Sequence, residues 1–323
     1  MSDKPGFHPD EVLFSVTAMC NMRCGHCGVK KSGAILDAKA ALRFIDSCAD
    51  SRVRRIGFTG GEPFLAAGLL SRLIKRSVSR KLFFDRIMTN GSWFRSKHEL
   101  VSVLKKIFRA GYDGNICVSI DAFHRQDLRK TALFIETAAR IWGRNDAISI
   151  ATIKGSREKE SRERLTRLAK LLNASIKFYG PKHAAIKKSG VFIKIFYVDL
   201  APIGKAAGLK DPWGTKWFRD DLCEGPGNVF FVLPDGTVKP CCGYANDSGL
   251  LTIGSIKTDT PQKLIMNARN NRFVSEIFTK GLHSVRRSME RSGVKFPGRT
   301  KNHCFFCHYL LTEFPQKFSA STS

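Results

Sequence analysis

Cys20, Cys24 and Cys27 stand at C-x-x-x-C-x-x-C spacing directly after the apolar run Val12-Leu13-Phe14-Ser15-Val16-Thr17. Thiolates are the preferred ligands of iron–sulfur clusters, and a 4Fe-4S cube held by three protein thiolates keeps one iron open to a substrate or cofactor. Zinc sites instead pair C-x-x-C or Cys/His ligands into a closed tetrahedron, which this spacing does not match. A zinc knuckle and buried structural cysteines are the competing readings of the triplet taken alone.

The elements that must position the loop follow from periodicity. Short β-branched or aromatic runs alternate with amphipathic stretches from Val12 to about Ala201, the pattern of βα units on a parallel sheet. Strands are expected at 12–17, 55–59, 83–89, 115–121, 147–153 and 192–200, with a short extra strand at 174–179. Helices are expected near 38–49, 69–79, 97–110, 127–142 and 156–172. Six such units make an incomplete barrel, open on one side, and barrel chemistry sits on loops after the C-terminal strand ends. The triplet follows the first strand. The second strand ends in Thr59-Gly60-Gly61-Glu62-Pro63, where two glycines let backbone approach a ligand closely. The third ends in Thr89-Asn90-Gly91 and the fourth in Ser119-Ile120-Asp121, which offer hydrogen-bonding side chains. Asp121 reads equally as a helix N-cap, and His124 as a surface or capping histidine.

Composition narrows the class. A chain of 323 residues, 43% hydrophobic, has material for one large domain, or one large and one small. It has no uncharged apolar stretch of about 18 residues, and the polar start Met1-Ser2-Asp3-Lys4-Pro5-Gly6 lacks signal-peptide character. A cytoplasmic protein with no membrane partner is expected, its clustered cysteines serving as metal-cluster ligands rather than disulfides. The 54 Lys+Arg against 28 Asp+Glu give a net charge of +26, a field that favours acidic partners. The basic residues are spread from Arg52 to Lys301, through Arg72 to Lys81, Lys154 to Lys170 and Lys182 to Lys188. No RNA-recognition motif or aromatic-interleaved basic stripe is visible along the sequence, so nucleic acid is not the expected partner.

With the triplet, Gly60-Gly61-Glu62-Pro63 and the third- and fourth-strand ends in this order, the chain resembles the radical S-adenosylmethionine (SAM) enzymes. The resemblance implies an α/β fold, a partial (β/α)6 barrel of the TIM type over 1–206, with a small C-terminal iron–sulfur extension over 207–323. It implies SAM and a SAM-binding 4Fe-4S cluster on Cys20, Cys24 and Cys27, whose reduced form cleaves SAM to a 5'-deoxyadenosyl radical. An electron donor such as flavodoxin or ferredoxin is implied as well. Gly60, Gly61, Glu62 and Pro63 match the family's G-G-E-P motif, and they are the implied SAM-binding residues together with Thr89, Asn90, Ser119 and Asp121. Pro202-Ile203-Gly204-Lys205-Ala206 is similar to the P-x-G-R-A stretch that closes the barrel in peptide-modifying members. Lys205 replaces the arginine there, keeping charge and losing the guanidinium fork.

Beyond about residue 207 the chain reads as loops around a hairpin. Asp235-Gly236 lies between two apolar runs and would return Cys241-Cys242 to the neighbourhood of Cys223-Glu224-Gly225-Pro226-Gly227. Cys304 and Cys307, two residues apart, can reach one metal site. This arrangement resembles the SPASM/Twitch extensions of radical SAM enzymes, which implies one auxiliary 4Fe-4S cluster. Four of the five cysteines suffice, and because adjacent side chains diverge, Cys223, Cys241, Cys304 and Cys307 are the expected ligands. Zinc on the same four is the alternative. Cys48 and Cys117 read as small core residues. The spare thiol, Cys242, is the second of the Pro-Cys-Cys pair, and the whole pattern is similar to radical SAM epimerases of ribosomally made peptides. That resemblance implies L-to-D epimerisation of a peptide substrate, an acidic precursor by charge, with Cys242 returning hydrogen to Cα. Thioether cross-linking or side-chain oxidation on the same scaffold, and RNA modification, are the rival readings.

Overall fold

The structure, a computed structural model, describes residues 5–155, 157–180, 183–188, 191–209, 211–218, 223 and 227–319. Met1 to Lys4, Ser156, Lys182 and Glu224 to Pro226, named above, lie outside the described residues.

The expected βα alternation is present: β1 (Glu11–Ser15), α1 (Ala38–Cys48), β2 (Arg55–Thr59), α2 (Ala67–Ser79), β3 (Phe83–Thr89), α3 (Lys97–Arg109), β4 (Asn115–Ser119), α4 (Leu128–Trp142), β5 (Ile148–Lys154) and α5 (Glu158–Leu171). Local chemistry sets the helix starts. Asp37 accepts from Ala40 N at 2.6 Å and Asp127 from Arg129 N at 2.8 Å. Ser96 caps α3, with Glu99 N donating to Ser96 Oγ at 3.1 Å, and Glu99 Oε2 accepts in turn from the N–H of Arg95, just before the cap, at 2.6 Å.

A hairpin, β6 (Ser175–Tyr179) and β7 (His183–Lys188), precedes the sixth barrel strand, β8 (Val191–Asp199). The sequence pattern pointed to β6 and missed β7. After them come β9 (Gly227–Val232), β10 (Thr237–Cys241) and the short β11 (Gly254–Ser255). The Asp235-Gly236 turn is as expected, with Gly236 at φ 92° and Leu233 N bonded to Thr237 O at 2.8 Å. The C-terminal region is more ordered than a set of loops, because α6 (Pro261–Asn270), α7 (Arg272–Thr279), α8 (Leu282–Arg291) and α9 (His303–Glu313) follow.

All described strands belong to one 11-stranded sheet in the order β11-β10-β9-β1-β2-β3-β4-β5-β8-β7-β6. The interior pairs from β9 through β1 to β8 are parallel, and the ribbons at both ends are antiparallel. Thus β9 adds to the free side of β1, register Val12 to Phe230, so the C-terminal region extends the barrel wall on that side. One hydrophobic core runs through both regions, and at the seam Phe230 meets Phe7 at 5.7 Å and Phe44 of α1 at 6.0 Å between ring centroids. Val12 and Phe14 point into that helical layer. Glu11 and Leu13 point the other way, into the barrel lumen, where both lie over Gly57. Among the described residues no helix is long and apolar enough to cross a membrane.

Because Phe230 is fully buried across this seam, Phe230→Ala is expected to destabilise both regions together by about 3–5 kcal/mol. Thermal unfolding of variants retaining only Trp142 or only Trp217 checks this. Coincident midpoints are expected, and a drop confined to the Trp217 signal would contradict it.

Candidate functional site

The cysteine loop leaves the C-terminal end of β1 and is held by backbone. Val16 N bonds Thr59 O at 3.0 Å, Gly61 N bonds Thr17 O at 2.7 Å, and Glu62 N bonds Met19 O at 2.7 Å. The β1–β2 pairing thus continues past both strands, up to the residue before Cys20. It requires glycine. A Cβ on Gly61 would lie 2.1 Å from Met19 O, and one on Gly60, at φ 147°, 2.5 Å from Thr17 O. The close approach that the sequence assigned to a ligand is in this structure an approach to the cysteine loop itself.

The end of β3 props the loop from below. Asn90 Nδ2 donates to Asn21 Oδ1 at 2.8 Å and reaches Cys20 Sγ at 3.9 Å, and Asn21 Nδ2 donates to Ser92 O at 3.2 Å. Glu62 joins the two loops: its carboxylate accepts from Thr89 Oγ1 at 2.8 Å, Asn90 N at 2.8 Å and Phe64 N at 3.3 Å. Complete burial raises its pKa to about 7, against the lowering effect of those three donors. Glu62, Pro63, Thr89 and Asn90 are all buried, so these side chains stand beneath the open loop as braces.

Beyond β4, Ser119 is half-buried and its carbonyl accepts from Gln126 Nε2 at 2.6 Å, while Asp121 is buried and accepts from Phe123 N, His124 N and His124 Nδ1, the last at 2.7 Å. Burial works to raise the Asp121 pKa, but the hydrogen bond and charge of His124, with His26, outweigh it and hold the carboxyl below its ordinary value. His124 is therefore oriented rather than free at the surface. Its ring packs on His26 at 4.8 Å, and His26 lies between Cys24 and Cys27. Burial, then proximity to His124, pushes the His26 pKa down despite Asp121, favouring the neutral ring.

Two buried nitrogens facing this loop lack a partner, His26 Nδ1 and Lys31 Nζ. Lys31 is electrostatically coupled to Cys20 and Cys24. Burial, then Cys27 and Cys20, pushes the Cys24 thiol up to about 12, so three thiolates here need a compensating metal core. Crowded thiols beside an orphaned ammonium fit a cationic cluster that also binds an anionic ligand.

The second cysteine group lies where β9, β10 and α9 meet. Cys304 and Cys307 occupy one face of α9 at i, i+3, and Asn302 caps the helix by accepting from Phe305 N at 2.9 Å. A Cβ on Gly227, opposite Cys241 in the ladder, would come within 2.9 Å of Cys223 Sγ. Burial raises the Cys241 and Cys307 pKa values, followed by charge from the other cysteines of this group. Among the described residues, the group of His, Cys, Asp or Glu whose donor atoms fall within 4.8 Å of one another is His26, Asp121 and His124, and it contains no cysteine. Thiolates on one zinc stand about 3.8 Å apart for tetrahedral Zn–S bonds of about 2.3 Å.

Cys241 is buried and its neighbour Cys242 is exposed. Yet burial is the first cause pushing the Cys242 thiol up to about 12, followed by Glu11, Cys304 and Cys223. The side chain is thus reached by solvent on one side and lies close enough to Glu11, Cys304 and Cys223 for their charge to act on it. Tyr244 stands between the two cysteine groups. Burial raises its pKa, followed by Cys304, Asp121, Cys27 and Cys242, and its ring lies 3.8 Å from where a Cβ on Gly28 would be. Sequence reasoning missed His26, Lys31, Tyr244 and Glu11. His26 was legible from its place inside the triplet, whereas the other three have no local signal.

A family profile described as the Radical SAM superfamily matches residues 14–169, and the iron-sulfur cluster-binding domain SPASM matches residues 223–289. Among curated proteins the chain is similar to the GTP 3',8-cyclase of Desulforamulus reducens, 27% identical over 264 residues, 75% of this chain and 71% of the relative. It is also similar to the GTP 3',8-cyclase of Clostridium acetobutylicum, 22% identical over 276 residues, 80% of this chain and 83% of the relative. Among solved structures, native anSMEcpe with bound AdoMet shares the fold at a TM-score of 0.53 and 14% identity, covering 95% of this chain and 97% of that one. The first domain carries with it a 4Fe-4S cluster and SAM, and the second auxiliary iron–sulfur.

Gly61→Ala is expected to remove about four irons per chain from the reconstituted protein, the content of one cube, because the cysteine loop must shift. Unchanged iron would contradict the backbone clamp. Lys31→Met is expected to leave iron unchanged and to raise the Kd for SAM roughly tenfold in anaerobic calorimetry, the loss of one charged hydrogen bond. An unchanged Kd would show that Lys31 has another partner.

Proposed function

Since the chain is a radical SAM enzyme with an iron–sulfur SPASM domain, we propose that it epimerises a residue of a ribosomal peptide from L to D, with Cys242 as the hydrogen donor. The observation that carries this reading is the contrast within the adjacent Cys241-Cys242 pair, in which Cys241 is buried and Cys242 is exposed. When bound, reduced cluster and SAM supply a carbon radical able to take a Cα hydrogen.

The chain's own residues do the placing. Cys20, Cys24 and Cys27 hold the cluster at the end of β1, with Gly60 and Gly61 keeping their loop in position. Lys31 and His26 offer the unpartnered nitrogens for SAM, and Ser119 and Asp121 form the wall beside it. Cys223, Cys241, Cys304 and Cys307 hold the auxiliary cluster. Cys242 presents its S–H to the lumen that the cysteine loop faces, so a peptide Cα between them meets abstraction and donation from different sides. The S–H hydrogen passes to Cα. The thiyl left on Cys242 regains an electron from the external donor and a proton from water.

A second reading is favoured by the curated relatives, both named GTP 3',8-cyclase: cyclisation of a nucleotide, for which Lys31 beside the cysteine loop would supply charge. Anaerobic enzyme, reductant and SAM in deuterated water, given the peptide extract of the cells that make the enzyme, tests both. Epimerisation predicts a peptide of unchanged formula with one deuterium at Cα, lost in Cys242→Ser while 5'-deoxyadenosine still forms. Loss of two hydrogens would assign cross-linking, and consumption of GTP with no peptide change would assign nucleotide chemistry.

A further inference from the structure

The ribbon β8-β7-β6 continues the barrel wall outward and leaves one face open. Its register aligns Phe196 with His183 and Tyr179, Lys194 with Ala185 and Lys177, and Phe192 with Lys187 and Ser175. The same face runs inward through Ala151 of β5 to Ser119 of β4, next to Asp121. On the other face Ala184, Ile186, Ile193 and Ile195 are buried in the core. On the open face Phe192, Phe196 and Tyr179 are 37%, 40% and 43% exposed, a large apolar area for a protein to leave in water. Lysines interleave them: Lys177 Nζ lies 5.3 Å from the Tyr179 ring and Lys187 Nζ 5.4 Å from the Phe192 ring. None of the residues aligned on this face is acidic. The pattern is invisible along the chain because its members come from three strands.

β6 is also the last strand of the sheet, so its outer edge is unpaired among the described residues. Such an edge is a template for an extended chain. Two antiparallel steps make β6 run in the same direction as β8 and the barrel strands. A chain laid along it is guided toward the strand ends that carry the cysteine loop.

We propose that this lysine-and-aromatic face, with the free edge of β6, docks an acidic, extended segment of the substrate peptide as an added strand. The proposal rests on the peptide reading above. The lysines meet the acidic side chains, the aromatics meet the apolar ones between them, and the edge amides meet the peptide backbone. Single-stranded nucleic acid is the less favoured occupant: it lacks the alternating N–H and C=O groups that match a strand edge, and residues 175–199 contain no arginine for bidentate phosphate contacts.

The test uses the reconstituted holoenzyme and a fluorescein-labelled alternating Glu-Val dodecapeptide, read by fluorescence anisotropy. Binding by the wild type is expected, weakened at least tenfold in Lys177→Glu/Lys187→Glu/Lys194→Glu. The exposed α3 set Lys97→Glu/Lys105→Glu/Lys106→Glu changes net charge equally and is expected to bind as the wild type does. Hydrogen exchange of the 175–179 amides should slow with peptide. Basal SAM cleavage without peptide should be unchanged in both triple variants. No binding by the wild type, equal loss in the two triple variants, or no protection in β6 overturns the proposal. Tighter binding of a uridine dodecamer, lost in the β-ribbon variant, reassigns the face to nucleic acid and overturns it too. If the peptide docks as described but the deuterium experiment shows no Cα exchange, the docking surface stands and epimerisation falls. If Cα exchange in the peptide extract survives the β-ribbon substitutions unchanged, epimerisation stands and the docking surface falls.

Discussion

The backbone bonds that tie residues 16–19 to 59–62 are the constraint on which the rest depends. A loop presenting three thiols to one cluster cannot be set by its own side chains, because burial and mutual repulsion work against it until metal binds. Its geometry therefore comes from the sheet. The β1–β2 ladder extends by three bonds past its last strand pair, and glycine at 60 and 61 is the condition for it, since any Cβ there would enter the Thr17 or Met19 carbonyl. Glu62 carries the constraint one strand further, joining the β2 loop to Thr89 and Asn90, and Asn90 returns it to Asn21 and Cys20.

The second constraint is the parallel pairing of β9 with β1. It makes one strand the support of both cysteine groups: the triplet leaves the C-terminal end of β1, and β9 and β10 bring Cys241, paired with Gly227, toward its other end. Tyr244 lies near members of both groups, Cys304 and Cys27 among them.

Much of this was legible in the sequence because it is local. Strand and helix periods, the Asp235-Gly236 turn and the cysteine spacings each depend on a few neighbouring residues. What was not legible depends on partners far along the chain. His183-Ala184-Ala185-Ile186-Lys187-Lys188 has weak strand character by itself and is a strand because β6 and β8 flank it. The C-terminal helices were read as loops although Thr260-Pro261 and Asn302 are good N-caps, and α9, with His, Cys and Phe in succession, lacks an apolar stripe. Glu62, Thr89 and Asn90 were identified as important residues, but their roles in bracing follow from a network spanning three strand ends.

The central claim is that Cys242 belongs to the lumen and the other four C-terminal cysteines to a cluster. Iron and sulfide content of anaerobically reconstituted Cys20/Cys24/Cys27→Ala protein, with and without Cys242→Ala, tests it most directly. The account predicts about four irons per chain in both, the content of one auxiliary cube. Loss of that iron when Cys242 is changed would make Cys242 a ligand and contradict the account.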